Sequence, residues 1–265
     1  MAVRAKTETA PRNLPASSGA SIPRGSRTSG AFWTAAMGPA MLAAIYAIFV
    51  YAPDERVMGA VQKIFYFHVA SAWNAFLAFL VMFVASVGYL VSRRPAWDQL
   101  AFASAEVGEV FTTITLLTGP LWGKVAWNIW WDWDPRLTTT LVLWVIYGVY
   151  LVARHVGKGE PVDEGTKEPE ASQAAVQVAV LGIVGFADIP ILLMSIKWWR
   201  SVHPVLLQGA KMNIAPPMTW TLGISVAAFT LLYLGLLGLR LRLERARREV
   251  RRLLAAGMAG KGVEV

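Results

Sequence analysis

The segment Phe65–Val91 contains no Asp, Glu, Lys or Arg, and it exceeds the ~20 apolar residues that a helix needs to cross a bilayer. Five further apolar runs accompany it: Phe32–Tyr51, Leu100–Thr118, Thr138–Ala153, Ala174–Ser195 and Met218–Leu239. Hydrocarbon offers no hydrogen bonds to a peptide group, so each run must satisfy its own backbone, and a helix does so. Charged residues make up 16% of the chain, well below the roughly one quarter of a soluble domain. The expected fold class is an all-α integral membrane protein with six transmembrane helices.

Basic residues orient the spans. Arg4, Lys6, Arg12, Arg24 and Arg27 precede the first run, and Arg93 and Arg94 join the second to the third. Arg154, Lys158 and Lys167 follow the fourth run, and eight more Arg or Lys follow the sixth. Only Arg56, Lys63, Lys124, Arg136, Lys197, Arg200 and Lys211 fall on the other side. Positive charge is retained in the cytoplasm, so both termini are expected there.

Three regions result. Residues 1–31 are a basic Pro-, Ser- and Gly-rich tail, expected to be disordered. Residues 32–239 form the membrane domain, and 240–265 form a basic helix or tail suited to anionic lipid or a cytoplasmic partner. The net charge of +8 sits in tails and loops as a topology signal, so no nucleic-acid partner is expected.

The chain has no cysteine, which excludes disulfides, thiolate ligands and a covalently attached c-type haem of its own. Three histidines remain. His155 ends the fourth run on the cytoplasmic side and reads as an interfacial polar residue. His68, in "IFYFHVASAW", and His203, in "IKWWRSVHPVLL", return to the outer face. One histidine alone is more often structural than a ligand. A pair on one face is a different matter, because imidazole binds iron, copper and zinc. Without cysteine or a carboxylate triad the pair fits zinc poorly. Beside a broad aromatic surface it suits haem, a flat apolar macrocycle whose iron takes axial ligands.

That surface lies between the third and fourth runs, where residues 122–137 read "WGKVAWNIWWDWDPRL". Tryptophan commonly anchors helix ends at the membrane interface, which needs one or two rings per end. Trp122, Trp127, Trp130, Trp131 and Trp133 exceed that need, and clustered indoles offer a rigid apolar surface for a planar ligand. Lys124 and Arg136 can pair with carboxylates on such a ligand. Asp134 either caps the fourth span, with Pro135 at its first position, or touches the ligand; both readings stand.

Three acids lie within spans. Asp188 precedes the kinking Pro190 and can serve a ligand, His203 or Arg200. Glu106 and Glu109 are one turn apart, with Arg93 or Arg94 as expected partners.

The tryptophan stretch resembles the WWD signature of haem-handling proteins in cytochrome c biogenesis, and within them the chain is similar to the CcmC, or haem exporter protein C, family. The matching positions are Trp122, Gly123, Trp127, Trp130, Trp131, Trp133, Asp134, Arg136, Leu137 and Thr138. "YFHVASAW" and "ADIPILLMSIKWWRSVHP" extend the likeness over most of residues 32–239, with the WWD segment at 119–138. Ala70 departs from the proline common two residues after the first histidine.

The resemblance implies that His68 and His203 are axial ligands to non-covalent haem b, with the WWD residues as its platform. It further implies a bacterial inner-membrane location. The implied partners are the ABC transporter subunits CcmA and CcmB, the small protein CcmD and the haem chaperone CcmE. No catalytic residues are expected, and no nucleotide motif is present. The rival expectations are a membrane oxidoreductase subunit with b-type haem and quinone, and a haem-translocating permease.

Overall fold

The computed structural model describes residues 25–156, 169–199, 207–208, 211–212 and 214–261. It is a helical bundle. α1 (Gly25–Tyr46) runs into a π-helical turn, Ala47–Tyr51, and a 3-10 turn, Ala60–Lys63, leads into α2 (Ile64–Ser92). α3 (Pro95–Trp127), α4 (Pro135–Val156), α5 (Pro169–Phe186) and α6 (Asp188–Trp198) follow. A two-residue hairpin, β1 (Leu207–Gln208) against β2 (Lys211–Met212), precedes α7 (Pro216–Lys261). Among the described residues five stretches are long and apolar enough to span a membrane, and Ala35–Tyr51 is a shorter sixth. The all-helical membrane fold expected from the apolar runs is therefore the fold observed.

The helix boundaries have local causes. Arg93 takes a left-handed conformation (φ 54°) and Pro95 opens α3, so α2 and α3 form a tight antiparallel hairpin. Pro190 lacks the N–H that would bond the Phe186 carbonyl, and the helix breaks there, at Ala187. The α5–α6 pair is one kinked span. α2 starts cleanly at Ile64 with Ala70 buried six residues further on, so the common proline is not needed for the helix start. α1 begins at Gly25, inside the region expected as a tail, and α7 continues without interruption to Lys261.

Small residues let α2 approach its neighbours closely, as membrane helices require when lipid supplies no hydrophobic drive. Ala70, Ala75, Ala78 and Ala85 are buried. A Cβ on Gly108 would stand 2.9 Å from the Phe79 ring, so only glycine admits that contact. Ser104 Oγ donates to the Ala78 carbonyl at 2.6 Å and also meets Tyr233 Oη at 2.9 Å, which ties α7 to the hairpin. The Phe79 and Tyr147 rings stack at 3.8 Å and bring in α4.

Charged pairs close the end of the bundle that carries the α2–α3 turn. Arg240 grips Glu106 through Nε and through Nη2, the latter 2.9 Å from Oε1. Arg154 pairs with Asp98, and Arg248 donates to Gln99. The Phe102 ring lies between the guanidinium groups of Arg154 and Arg240, 5.5 and 5.4 Å from its centroid. This corrects the expected pairing of both acids with Arg93 or Arg94. Arg93 stands over Tyr89, Glu106 belongs to Arg240, and Glu109 faces Gly148 of α4. Arg93 and Arg94 stay at the α2–α3 turn, whereas α7 runs alongside Glu106 and brings Arg240 to it.

Replacing Arg240 by Leu strands the Glu106 carboxylate, and the expected loss is about 1–3 kcal/mol of stability. The check is thermal unfolding in detergent: Arg240→Leu with Glu106→Gln should be less destabilised than the sum of the single variants. Additive effects would contradict the pairing.

Candidate functional site

α3 has 33 residues, which rise about 50 Å, against roughly 30 Å of hydrocarbon. Its last turns therefore have length to spare. Trp122 and Trp127 sit on this overhang, with rings edge-to-face at 5.0 Å. Trp122 Nε1 donates to Gln62 Oε1 at 3.2 Å, and buried Gln62 belongs to the 3-10 turn before α2. The helix stops at Asn128, which adopts a left-handed conformation (φ 60°). Lys124 Nζ reaches Asn128 Oδ1 at 2.7 Å and so neutralises the helix end. Its sequence reading as a partner for ligand carboxylates thus competes with a capping contact.

Residues 129–134 form the short connection to α4. Trp131 and Trp133 meet edge-to-face at 5.7 Å. Trp130 is 58% exposed and Trp133 72% exposed. Exposed indoles in a cluster form an apolar patch of the kind that meets a ligand, a partner or lipid. Trp131 Nε1 is buried and makes no hydrogen bond among the described residues. Buried donors are ordinarily hydrogen-bonded, which makes this one a candidate contact for a ligand acceptor. Trp198 and Trp199, at the end of α6, add two more exposed rings that meet edge-to-face at 5.8 Å.

Asp134 is buried at the start of α4. Its Oδ1 accepts from Arg136 N at 2.9 Å and Leu137 N at 3.1 Å, the pattern of an N-cap, with Pro135 at the first helical position. Of the two readings left open by the sequence, the cap is the one seen. Arg136 stands half-buried beside it.

His68 lies in the second turn of α2, and its Nδ1 meets Thr118 Oγ1 of α3 at 3.0 Å. Thr118 is one helical turn before Trp122. Two contacts, His68–Thr118 and Gln62–Trp122, thus bring the start of α2 to the tryptophan-bearing end of α3. His203 and Arg200 lie outside the described residues. Asp188 occupies the first turn of α6, and its buried Oδ2 makes no hydrogen bond among the described residues. His155 is remote: its Nδ1 meets the Leu151 carbonyl and its ring faces Phe102 at the opposite end.

Gln62 and Thr118 are neighbours of the candidate site residues that the motifs do not reveal. Thr118 had one available signal, its i, i+4 relation to Trp122 on the same helix face.

The residues present fit a haem. They supply an imidazole, a rigid aromatic patch, a buried indole donor and a nearby guanidinium, and imidazole with apolar cover is the chemistry such a macrocycle takes.

The Asp134 cap predicts a specific substitution pattern. Asp134→Ala should cost about 1 kcal/mol in thermal unfolding, whereas Asp134→Asn, which caps without charge, should keep most of the stability. Equal losses in both variants would mean that the carboxylate charge, not the cap, matters.

The family model described as CcmC, Heme exporter protein C, matches residues 20–256. Heme exporter protein C of Bradyrhizobium diazoefficiens is 37% identical over 206 residues, covering 76% of this chain and 73% of the relative. Heme exporter protein C of Escherichia coli K12 is 32% identical over 197 residues, covering 73% and 74%. A putative cytochrome c biosynthesis ccmC-like mitochondrial protein of Marchantia polymorpha is 33% identical over 160 residues, covering 60% and 63%. With the matched region spanning the whole bundle and the tryptophan segment inside it, the chain belongs to the CcmC, or haem exporter protein C, family.

Proposed function

We propose that this protein binds haem b non-covalently at the tryptophan-bearing end of the bundle and delivers it to the haem chaperone CcmE. Membership of the haem exporter protein C family makes it a haem-handling component of cytochrome c biogenesis rather than a catalytic enzyme. The distribution of Arg and Lys supports cytoplasmic termini and a tryptophan end on the periplasmic face of the bacterial inner membrane.

One observation carries the reading. His68 contacts α3 one turn before Trp122, so a candidate iron ligand and the indole patch share one end of the molecule. In this reading His68 and His203 would supply the imidazoles that ligate the iron. Trp122, Trp127, Trp130, Trp131 and Trp133 cover the porphyrin or present its edge to the chaperone. Trp131 Nε1 and Arg136 suit the propionates, since both are donors to carboxylates. Asp134 holds the start of α4, and with it Arg136, in place. Ligation by two neutral imidazoles would be reversible, as a carrier requires. Energy for release comes from elsewhere, because the chain has no phosphate-binding loop. The ABC subunits CcmA and CcmB, with CcmD, are the partners for that step.

The test is the absorption spectrum of the purified protein beside His68→Ala and His203→Ala. The wild type should show a Soret band that each substitution weakens or shifts. An unchanged band in both variants would overturn the ligand assignment.

A further inference from the structure

α3 holds the His68 ring from two directions. Thr118 Oγ1 lies 3.0 Å from Nδ1. Gly119 backs the ring so closely that a Cβ there would stand 3.3 Å from Cε1. A threonine hydroxyl has a single proton to donate. Here that proton goes to the Ile114 carbonyl at 2.7 Å, with the Thr115 carbonyl a longer second acceptor at 3.4 Å. Towards His68 the Thr118 oxygen is therefore an acceptor. Nδ1 is then the donor in this contact, and Nε2 is the ring nitrogen that Thr118 does not touch.

We infer that Thr118 is a positioning residue: it fixes His68 as the Nδ1–H tautomer and so presents Nε2 as the iron ligand. The inference rests on the haem-ligation reading for its purpose and on the Thr118 contact for the tautomer. A ligating imidazole is ordinarily steadied by a hydrogen bond from its second nitrogen, which sets the ring plane and raises its basicity. The usual acceptors are carboxylates, carbonyls and water. A hydroxyl differs from a carboxylate in two ways that suit this place. It is neutral, so it avoids the cost of a buried charge near the edge of the membrane. It also raises imidazole basicity less than an anion does, which leaves a weaker iron bond for a protein that must give its cargo up. Gly119 contributes space, because a Cβ there would make the ring give by a few tenths of an ångström.

The tautomer can be read directly in the haem-free full-length protein. With three histidines in the chain, 15N-histidine labelling in detergent gives few signals, and His68→Ala identifies the His68 pair by its loss. The expected wild-type pattern is a protonated Nδ1 and an unprotonated Nε2. Thr118→Val should let the two tautomers mix, and Thr118→Ser should restore the single form. A protonated Nε2 in the wild type, or an unchanged tautomer in Thr118→Val, would overturn the inference.

A second arm uses haem itself. Thr118→Val should weaken haem binding roughly tenfold and raise the midpoint potential, because the imidazole becomes a poorer donor to ferric iron. Thr118→Ser should recover both. If His68→Ala alters the haem spectrum while Thr118→Val matches the wild type in affinity and potential, the role of Thr118 alone is lost. If His68→Ala leaves the spectrum unchanged, the haem-ligation reading fails and the purpose assigned to Thr118 fails with it.

Discussion

The antiparallel hairpin of α2 and α3 fixes the height of every group at the candidate site. Its two helices are locked by contacts that admit little sliding: Ser104 on the Ala78 carbonyl, Gly108 against the Phe79 ring, and His68 on Thr118. A shift of one turn would separate His68 from Thr118 and bring side chains of α2 against the Gly108 position. With that register set, the surplus length of α3 becomes a rigid arm. It lifts Trp122 and Trp127 beyond the histidine and hands the chain to the Trp130–Trp133 connection, which Asp134 then anchors to α4. The tryptophan segment is thus positioned by helices at both of its ends, and only seven residues between them, 128–134, are irregular.

The opposite end is held by different physics. Charges near hydrocarbon are costly unless paired, and here Arg240, Arg154, Asp98 and Glu106 pair around one aromatic ring, Phe102. These contacts join α3, α4 and α7 where small-residue packing gives way to polar surface. The same residue types serve elsewhere as helix caps, as Lys124 and Asp134 do. Among the described residues these charges end and join helices, and the indoles form an exposed aromatic patch.

Much of this was legible in the sequence. The apolar runs gave the helices, since a bilayer leaves a peptide chain few other choices, and Pro190 foretold the break between α5 and α6. Asp134 followed by Pro135 had the form of a cap. The tryptophan cluster named the family before any geometry was known, because five indoles so close together exceed what membrane anchoring requires. Partner identities across the bundle were not legible. Glu106 finds Arg240 from the far end of the chain, and nothing local to Glu106 favours it over Arg93. Thr118 was equally hidden: threonines are common in α3, and only the register against α2 selects the one that meets His68. The chain also begins its first helix earlier than its composition suggested, with Gly25 already helical.

The central claim is that two neutral imidazoles, His68 and His203, bind one haem iron beside the indole patch. Electron paramagnetic resonance of the ferric, haem-loaded full chain tests this in a single spectrum. The expected result is a low-spin signal of the kind given by two imidazole ligands. A high-spin signal would contradict it, because the iron would then lack one of the two nitrogens.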